Sequence, residues 1–326
     1  MEDTRFTEII EEIKKGQRFM VVSHVSPEAD AVGSNLGLAL ALREMGKDAV
    51  AYLEDPIPDL CSFLPGSETV VHTLEGEAPF DCTFAVDCGQ IERLGDKFMA
   101  FSGKGWLINL DHHATNDNFG DLNVVEPTAS AAGEVVYDLL KAAGAVITED
   151  VATNLYTAIH TDTGSFRYSS ANPGAFRKAG ELVGYGAKPW EVSMNIYENY
   201  PAKRFKALAL VLLTLDISED GHIASLQVTL DLLSKVDGNR ELVDGFVNYA
   251  RAIKDVEVGV LFRECEDASY KISMRSKGKV DVSSVALSFG GGGHKNAAGC
   301  SVKGDYAEVS ARVLEKLKVV VAEALA

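Results

Sequence analysis

The stretch RFMVVSHVSPEADAVGS, residues 18–34, decides how the amino-terminal half of the chain is organised. Its first five residues are apolar enough for a buried strand, and they run into a polar segment that contains His24, Glu28 and Asp30. Residues 30–46 then carry apolar side chains at helical spacing. A buried strand, a polar turn and a helix, in this order, are typical of the repeating unit of an α/β fold.

The same alternation continues along the chain. Short apolar runs occur at 48–53, 82–86 and 106–110, with a helical pattern at 129–144 and successive helices from about 148 to 215. Strand-like segments, two of them resembling a hairpin, follow residue 216. We expect an α/β fold, with a mostly parallel sheet in a domain at 1–190, a helical linker at 191–215 and a smaller α/β domain at 216–326.

Composition excludes several classes of protein. The 326 residues carry 31 basic and 48 acidic side chains, a net charge of −17, which argues against coating long nucleic acid by counterion release. The first twenty residues contain no apolar stretch long enough for a signal peptide or a membrane span. Five cysteines without a C-x-x-C pair suggest neither disulfides nor a zinc knuckle. We therefore expect a cytoplasmic protein that does not bind membranes.

Metal-capable side chains follow three of the predicted strands. These are His24, Glu28 and Asp30 after the first, Asp87 after the third, and Asp111, His112 and His113 after the fourth. A single Asp or His after a strand is usually a cap or a turn residue. Because the carboxyl ends of parallel strands meet at one edge of a sheet, the three groups together predict a metal site.

The ligand types predict the metal and the reaction. Carboxylates with imidazoles and no thiolate favour Mn²⁺, with Mg²⁺, Co²⁺ or Fe²⁺ as alternatives, over structural zinc. There are more candidate ligands than one ion with open positions needs. Two ions that share a carboxylate would use them, activating a water and binding phosphoryl oxygens. The pattern predicts hydrolysis of a phosphoester.

Glycines and cations are concentrated near the carboxyl terminus. Gly290 to Gly293 precede His294 and can be a linker or a loop whose backbone approaches an anion. Because the run continues into Lys-Asn-Ala-Ala-Gly, we favour the loop. The basic run from Arg275 to Lys279 is either a solvated hairpin end or, beside the glycines, a phosphate clamp.

Five segments, taken in order, carry a family resemblance. They are SHVSPEADAVGS (23–34), AVDCG (85–89), LDHHATN (110–116), HTDTGSFRYS (160–169) and GGGGHKNAAG (290–299). Together they closely resemble the motifs of the DHH phosphoesterase superfamily with an appended DHHA1 domain. The short chain resembles the branch that trims short oligonucleotides and removes the 3′-phosphate of adenosine 3′,5′-bisphosphate (pAp). That resemblance implies short RNA or DNA oligonucleotides and pAp as substrates.

The resemblance also assigns roles to residues. It implies that His24, Glu28 and Asp87 hold one ion, that Asp30, Asp87, His112 and Asp162 hold or share the second, and that Asp87 bridges the two. As catalytic residues it implies His113, near a phosphoryl oxygen or the leaving group, and Asp111, which orients an imidazole or caps the strand end. For substrate binding it implies Arg275, Gly291, Gly292, Gly293 and His294, with Arg167 a weaker candidate.

One departure leaves alternatives open. The family usually has Asp at position 28, and the longer Glu28 changes the geometry of that ion. An inactive nucleotide-binding regulator is therefore an alternative, as is hydrolysis of linear or cyclic dinucleotides with the same metals. A pyrophosphatase would need a different carboxyl-terminal phosphate motif. Apolar helices such as 207–215 suggest a possible homodimer.

Overall fold

The computed structural model describes residues 4–236 and 240–325. The chain forms two compact units, Met1–Asn199 and Tyr200–Ala326. The helices of the first unit are α1 (Thr7–Lys15), α2 (Ala29–Glu44), α3 (Asp96–Ala100), α4 (Ala132–Ala142), α5 (Glu149–Asp162), α6 (Pro173–Gly184) and α7 (Pro189–Tyr197). Its strands are β1 (Arg18–Val22), β2 (Asp48–Tyr52), β3 (Cys82–Val86), β4 (Trp106–Asp111) and β5 (Leu122–Val125).

The first unit is built on a parallel sheet with the order β2-β1-β3-β4-β5. The four strands predicted from apolar runs are confirmed. β5 escaped prediction because it has four residues, only one of them buried, at the edge of the sheet. Helix packing covers the sheet, and the parallel α/β architecture expected from the sequence is confirmed.

Helices α2 and α5 pack very closely. A Cβ atom at Gly33 would lie 2.5 Å from the carbonyl oxygen of Asn154, and one at Gly37 would lie 2.7 Å from Leu155 Cδ2. Gly33 also faces Ala158, whose backbone nitrogen would lie 3.3 Å from that Cβ atom, whereas Gly37 faces Leu155. The helices therefore run antiparallel, and the start of α2 lies beside the end of α5. The two glycines thus bring Asp30, in the first turn of α2, next to Asp162, the last residue of α5.

The second unit contains a six-stranded mixed sheet with the order β10-β11-β9-β8-β7-β6. Its strands are β6 (Asp216–Ile217), β7 (Ile223–Val228), β8 (Val258–Glu264), β9 (Ser269–Ser276), β10 (Gly292–His294) and β11 (Ala297–Lys303). Its helices are α8 (Ala202–Leu212), α9 (Leu230–Ser234), α10 (Val247–Arg251), α11 (Val282–Ser288) and α12 (Tyr306–Leu325). The predicted hairpin is the antiparallel pair β8–β9.

Each face of this second sheet has its own core. Val260 of β8 and Ile272 of β9 pack with α11 and α12 on one face. On the other face, Leu226 of β7 and Leu261 of β8 pack with α8, α9 and α10. The helix α8, predicted as part of a linker, thus contributes to the core of the second unit. The predicted domain bounds stay a prediction.

The glycine-rich stretch is not the loop that the sequence predicted. Gly292–His294 forms β10 and pairs with Ala297–Ala298–Gly299 of β11, so the segment is a tight hairpin. A Cβ atom at Gly291 would lie 2.2 Å from the carbonyl oxygen of Gly299. Gly293, with φ of +138°, would place one 2.5 Å from the carbonyl oxygen of Ala297. Close backbone packing therefore explains two of the glycines.

Among the residues that the structure describes, no helix combines the length and the apolar character needed to cross a bilayer.

Candidate active site

The candidate metal ligands of the first unit meet at the carboxyl edge of the parallel sheet. β1, β3 and β4 are neighbours, and His24, Asp87 and Asp111 lie at or just beyond their ends. From β1 the strand order runs to β2 on one side and to β3 on the other. Such a switch point opens a crevice between β1 and β3, and the ligands lie there.

His24, Glu28 and Asp87 form the first cluster, with ligand atoms within 4.8 Å of one another. Nε2 of His24 lies 3.2 Å from Glu28 Oε1 and 3.6 Å from Asp87 Oδ2. Nδ1 of His24 lies 2.9 Å from the carbonyl oxygen of Val25 and 3.2 Å from Arg93 Nη2, so these contacts engage Nδ1 while Nε2 faces the cluster. Glu28 makes no capping bond to α2, and its carboxylate points to this cluster.

Asp30, His112 and Asp162 form the second cluster. Nε2 of His112 lies 3.8 Å from Asp30 Oδ2, 3.5 Å from Asp87 Oδ1 and 3.7 Å from Asp162 Oδ2. Its Nδ1 lies 3.3 Å from the carbonyl oxygen of Ala129, an interaction that orients the ring. Asp87 is therefore the carboxylate within reach of both clusters.

Asp87 is the most unusual residue of the site. It adopts a left-handed backbone conformation, with φ of +53°, which is strained for a residue other than glycine. Its side chain is 1% exposed, yet neither oxygen accepts a hydrogen bond from any residue that the structure describes. The imidazoles of His24, His112 and His113 lie 3.5–3.8 Å from it, too far for hydrogen bonds. A buried carboxylate without a hydrogen bond is costly, and a cation at this position would reduce that cost.

The charges of the site depend on one another. Burial opposes protonation of His24 and His112, but the facing carboxylates outweigh it and raise the pKa of each imidazole to about 10. Burial also works against the charge of Asp87, yet the same two imidazoles hold its pKa well below the usual range. Burial and the neighbouring carboxylates raise the pKa of Asp30. The site thus holds protons where a metal would otherwise supply positive charge.

These residues fit divalent metal ions. Four carboxylates and three imidazoles converge without a thiolate, and the central carboxylate lacks a hydrogen-bond donor among the described residues. Oxygen and nitrogen ligands of this kind suit Mn²⁺ and related ions. Two of the possible groups contain residues that the family resemblance implies for the two ions, and a third joins His113 to Asp87 and His112. The role of each residue as a ligand stays a prediction.

The amino terminus of α4 fixes Asp30. The backbone amides of Ala132 and Gly133 donate to its two oxygens at 2.8 and 3.1 Å, and Ser34 Oγ donates to it at 2.8 Å. Amides at a helix start favour negative charge. Asp30 is therefore held in one orientation before any ion binds.

His113 belongs to a chain of buried hydrogen bonds. Its Nδ1 lies 2.8 Å from Asp111 Oδ1, and the other oxygen of Asp111 accepts from Asn116 Nδ2 at 2.5 Å. Asn116 also donates to Asn109 and to the carbonyl oxygen of Cys88. Asp111 thus contacts an imidazole and can orient it, one of the two possibilities drawn from the sequence.

A strained turn follows Asp162. Gly164, Ser165 and Phe166 all have φ near +60°, at 58°, 63° and 60°. Three consecutive left-handed residues are rare, and here they reverse the chain directly after α5. Arg167 Nε donates to the carbonyl oxygen of Gly164 at 2.7 Å, so this arginine stabilises the turn.

The predicted substrate-binding residues lie together on the sheet of the second unit. Ala297 of β11 pairs with Arg275 on one side and with His294 on the other, so the two side chains share one face of the sheet. Gly292 lies near them, and a Cβ atom there would meet nothing within 4 Å. At Gly291 and Gly293 a side chain would collide with the backbone, whereas at Gly292 it would not.

Several residues that shape the site escaped the sequence analysis. Asn116 and Ser34 lie inside the motifs quoted above, and this position indicated a role in the site. Their hydrogen-bond partners could not be predicted from the sequence. Gly33 resembled any glycine within a helix. The amides at the start of α4 have no sequence signal, because every residue but proline has one.

A parallel sheet with carboxylate and imidazole clusters at its carboxyl edge is a candidate centre for divalent metal ions. Comparison with protein families identifies the class of enzyme. Residues 18–159 match the family model described as the amino-terminal domain of the DHH family, and residues 223–323 match the DHHA1 domain. The chain belongs to the DHH phosphoesterase family and carries a DHHA1 domain, as the resemblance predicted.

Curated relatives cover nearly the whole chain. A Thermus thermophilus protein named bifunctional oligoribonuclease and PAP phosphatase NrnA is 37% identical over 91% of this chain and 88% of its own. A Bacillus subtilis protein of the same name is 30% identical over 91% and 93%. A solved structure, an exopolyphosphatase-related protein from Bacteroides fragilis, superposes with a TM-score of 0.90 at 28% identity, covering 96% of this chain and 94% of its own.

Proposed function

We propose that this protein is a two-metal phosphoesterase that hydrolyses short oligonucleotides and removes the 3′-phosphate of pAp. The observation that carries the proposal is Asp87, a buried carboxylate with no hydrogen-bond donor among the described residues, between two clusters of ligands. The printed names of the Thermus and Bacillus relatives supply the substrate class.

In this proposal His24, Glu28 and Asp87 hold one ion, and Asp30, Asp87, His112 and Asp162 hold the other. The ions are Mn²⁺, with Mg²⁺ or Co²⁺ as weaker substitutes, because the ligands are imidazole and carboxylate. When bound, two such ions supply an activated water and neutralise charge on the phosphoryl oxygens. The protein's own part is to hold these ligands in place through the contacts around Asp30 and the two imidazoles.

His113 is the proposed proton donor. Burial opposes its charge, but the hydrogen bond to Asp111 and the charge of Asp87 raise the pKa of its imidazole. With Nδ1 held by Asp111, Nε2 is the atom that contacts a phosphoryl oxygen or gives a proton to the leaving oxygen. Asp111 acts through this imidazole as a positioning residue.

The second unit is proposed to bind the substrate. Arg275 offers a guanidinium that can contact a phosphate through two hydrogen bonds, and His294 shares its face of the sheet. The open space at Gly292 supports a close approach of the ligand, whereas Gly291 and Gly293 contribute by allowing the hairpin to form. We also propose a cytoplasmic location and, from the exposed apolar residues of α8 such as Leu212, a homodimer.

A substrate panel tests the proposal. The purified chain is incubated with pAp, pApA, a five-residue RNA and cyclic di-AMP, each with Mn²⁺ or with excess EDTA. We expect Mn²⁺-dependent release of phosphate from pAp and of mononucleotides from the RNA, and no turnover in EDTA. Full activity in EDTA, with no tightly held metal found by elemental analysis, would exclude the two-metal mechanism. Preference for cyclic di-AMP would favour the dinucleotide alternative instead.

A further inference from the structure

The second unit contains a small cavity lined with three cations, of which only Arg275 has a role in the proposed function. Its volume is about 170 Å³, its charged lining residues are Arg263, Lys271, Arg275 and Asp244, and Ser273 is also in the lining. Three cations facing one acid is a marked local excess in a chain with a net charge of −17. The cavity is therefore suited to an anion.

Strand register explains why these cations lie together. Arg263 of β8 pairs with Lys271 of β9, and Ser273 and Arg275 follow at alternate positions of the same strand. Alternate residues share a face, so all four side chains project from one side of the sheet. Along β9 they form a row of Lys271, Ser273 and Arg275.

On this face of the sheet, α10 reaches as far as the cavity, and its Val247 is one of the lining residues. The core that includes α8, α9 and α10 covers β7 and β8, while the buried side chains of β9 and β11 project from the opposite face. Opposite Ser273, the register continues to Gly299 and then to Gly292, three small residues in a line. The result is a flat floor beside the row of cations.

The guanidinium of Arg263 has few hydrogen-bond acceptors among the described residues. Its side chain is only 15% exposed, and it makes no hydrogen bond to another residue in the described part of the chain. Its nearest acid is Asp244, 3.5 Å away and itself 71% exposed. A guanidinium has five N–H donors, and one carboxylate at 3.5 Å leaves several of them to face the cavity. An anion in the cavity would accept from them.

We propose that this face binds the backbone of a short single-stranded oligonucleotide, and that Arg263 and Lys271 contact a phosphate beyond the one assigned to Arg275. The proposal rests on the proposed function and deepens it. Ligand pockets for whole small molecules begin at about 300 Å³, so a cavity of this size takes a phosphate group. Sugar and base would remain on the open floor formed by Gly292 and Gly299.

Such a site makes the enzyme sensitive to substrate length. pAp offers the phosphates of one nucleotide, which Arg275 and the metal centre would use. A longer oligonucleotide offers further phosphates to Arg263 and Lys271. Asp244 would weaken this second contact, since its carboxylate competes for Arg263 and repels phosphate.

The test measures kcat/KM of the Mn²⁺-loaded full chain for pAp and for a five-residue RNA at several salt concentrations. For Lys271→Ala we expect a loss of roughly three- to fivefold on the RNA, as for an exposed ion pair, and little change on pAp. The slope of log kcat/KM against log salt should fall by about 0.7 for the RNA, because one phosphate contact is lost. Asp244→Asn should raise kcat/KM for the RNA.

Lys316→Ala is the matched control. It removes an exposed lysine from α12, which packs on the opposite face of the same sheet, and it should change neither the rate nor the salt slope. If Lys271→Ala and Asp244→Asn behave like Lys316→Ala, or if Lys271→Ala lowers pAp and RNA hydrolysis equally, the second phosphate site is wrong although the enzyme is active. A parent protein that hydrolyses neither substrate with Mn²⁺ would overturn the proposed function and this site together.

Discussion

Glu28 is the residue at which this chain departs from the usual pattern of its family. Its carboxylate lies 3.2 Å from Nε2 of His24, so the additional methylene still allows it to reach the first cluster. Because the side chain is 60% exposed, it has room to adjust to an ion. This geometry favours Glu28 as a metal ligand over the alternative of an inactive nucleotide-binding protein.

We therefore expect Glu28→Asp to keep substantial activity and Glu28→Ala to lower kcat/KM by roughly a hundredfold, since only the second change removes the ligand oxygens. Steady-state rates at several Mn²⁺ concentrations measure both effects. Glu28→Ala should also need more Mn²⁺ for half-maximal rate. A Glu28→Ala protein that titrates with Mn²⁺ and turns over like the parent would show that position 28 is not a ligand.

His24 and His112 predict how pH affects the metal-free protein. Each has a pKa raised from the ordinary 6.5 to about 10, so the folded state binds these protons more tightly than the unfolded chain. Their contribution to stability is complete below pH 6.5 and is lost as pH rises through 10. The melting temperature of EDTA-treated protein should fall between pH 7 and pH 10, and less steeply with Mn²⁺, which replaces the protons.

His24→Asn serves as the control for other groups that titrate in this range. It removes one of the two imidazoles, so the metal-free variant should show a shallower fall than the metal-free parent. Identical slopes for the two proteins would mean that His24 keeps its ordinary pKa in the folded state.

At the scale of elements, the contact between α2 and α5 determines whether the second cluster forms. The contact depends on Gly33, where a Cβ atom would lie 2.5 Å from a backbone oxygen that cannot rotate away. Gly33→Ala should therefore cost about 1–3 kcal/mol of unfolding free energy through overpacking. It should also weaken Mn²⁺ binding, because it separates Asp30 from Asp162.

Gly180 offers the same substitution without the clash. It is an exposed residue of α6, and a Cβ atom there would meet nothing within 4 Å. Gly180→Ala should be neutral or stabilising by up to about 1 kcal/mol, because alanine favours a helix. Chemical unfolding with and without Mn²⁺ compares the two variants. Equal stability changes at both positions would contradict the proposed role of the close helix contact.

At the scale of the whole molecule, chemistry and substrate binding are assigned to different units. All proposed metal ligands precede residue 163, and the proposed phosphate contacts follow residue 262. If the second unit only binds the nucleotide, losing Arg275 should penalise substrates according to the phosphates they offer it. Losing Asp87 should instead disable every substrate.

Arg275→Ala should lower kcat/KM by roughly ten- to a hundredfold for pAp or a trinucleotide, since a charge-assisted contact contributes about 1.5–3 kcal/mol. On bis(p-nitrophenyl) phosphate, which has no second phosphate, the loss should be slight. Asp87→Ala should abolish hydrolysis of both. The rates of both variants on the nucleotide and on the artificial diester test this division of roles. Equal losses for Arg275→Ala on the nucleotide and the artificial diester would move this arginine into the chemical step or into folding.

The amino-acid sequence by itself determined the α/β class, the main parallel strands and the set of candidate ligands. An apolar run that ends in Asp or His indicates a buried strand and also a possible ligand at its carboxyl end. Both can be predicted because the strand and the ligand are adjacent in the sequence. The family motifs then predicted the phosphoesterase, and the family comparison confirmed it.

Only the tertiary structure decided how those residues act on one another. Contacts between segments distant in sequence surround Asp87 with imidazoles but no hydrogen bond. Such contacts also bring Asp30 close to Asp162 and link His113 to Asn116 through Asp111. The glycines near 291 looked like a loop but form a hairpin, because backbone pairing across strands leaves no local pattern. Arg263 and Lys271 appeared unrelated until strand register placed them side by side.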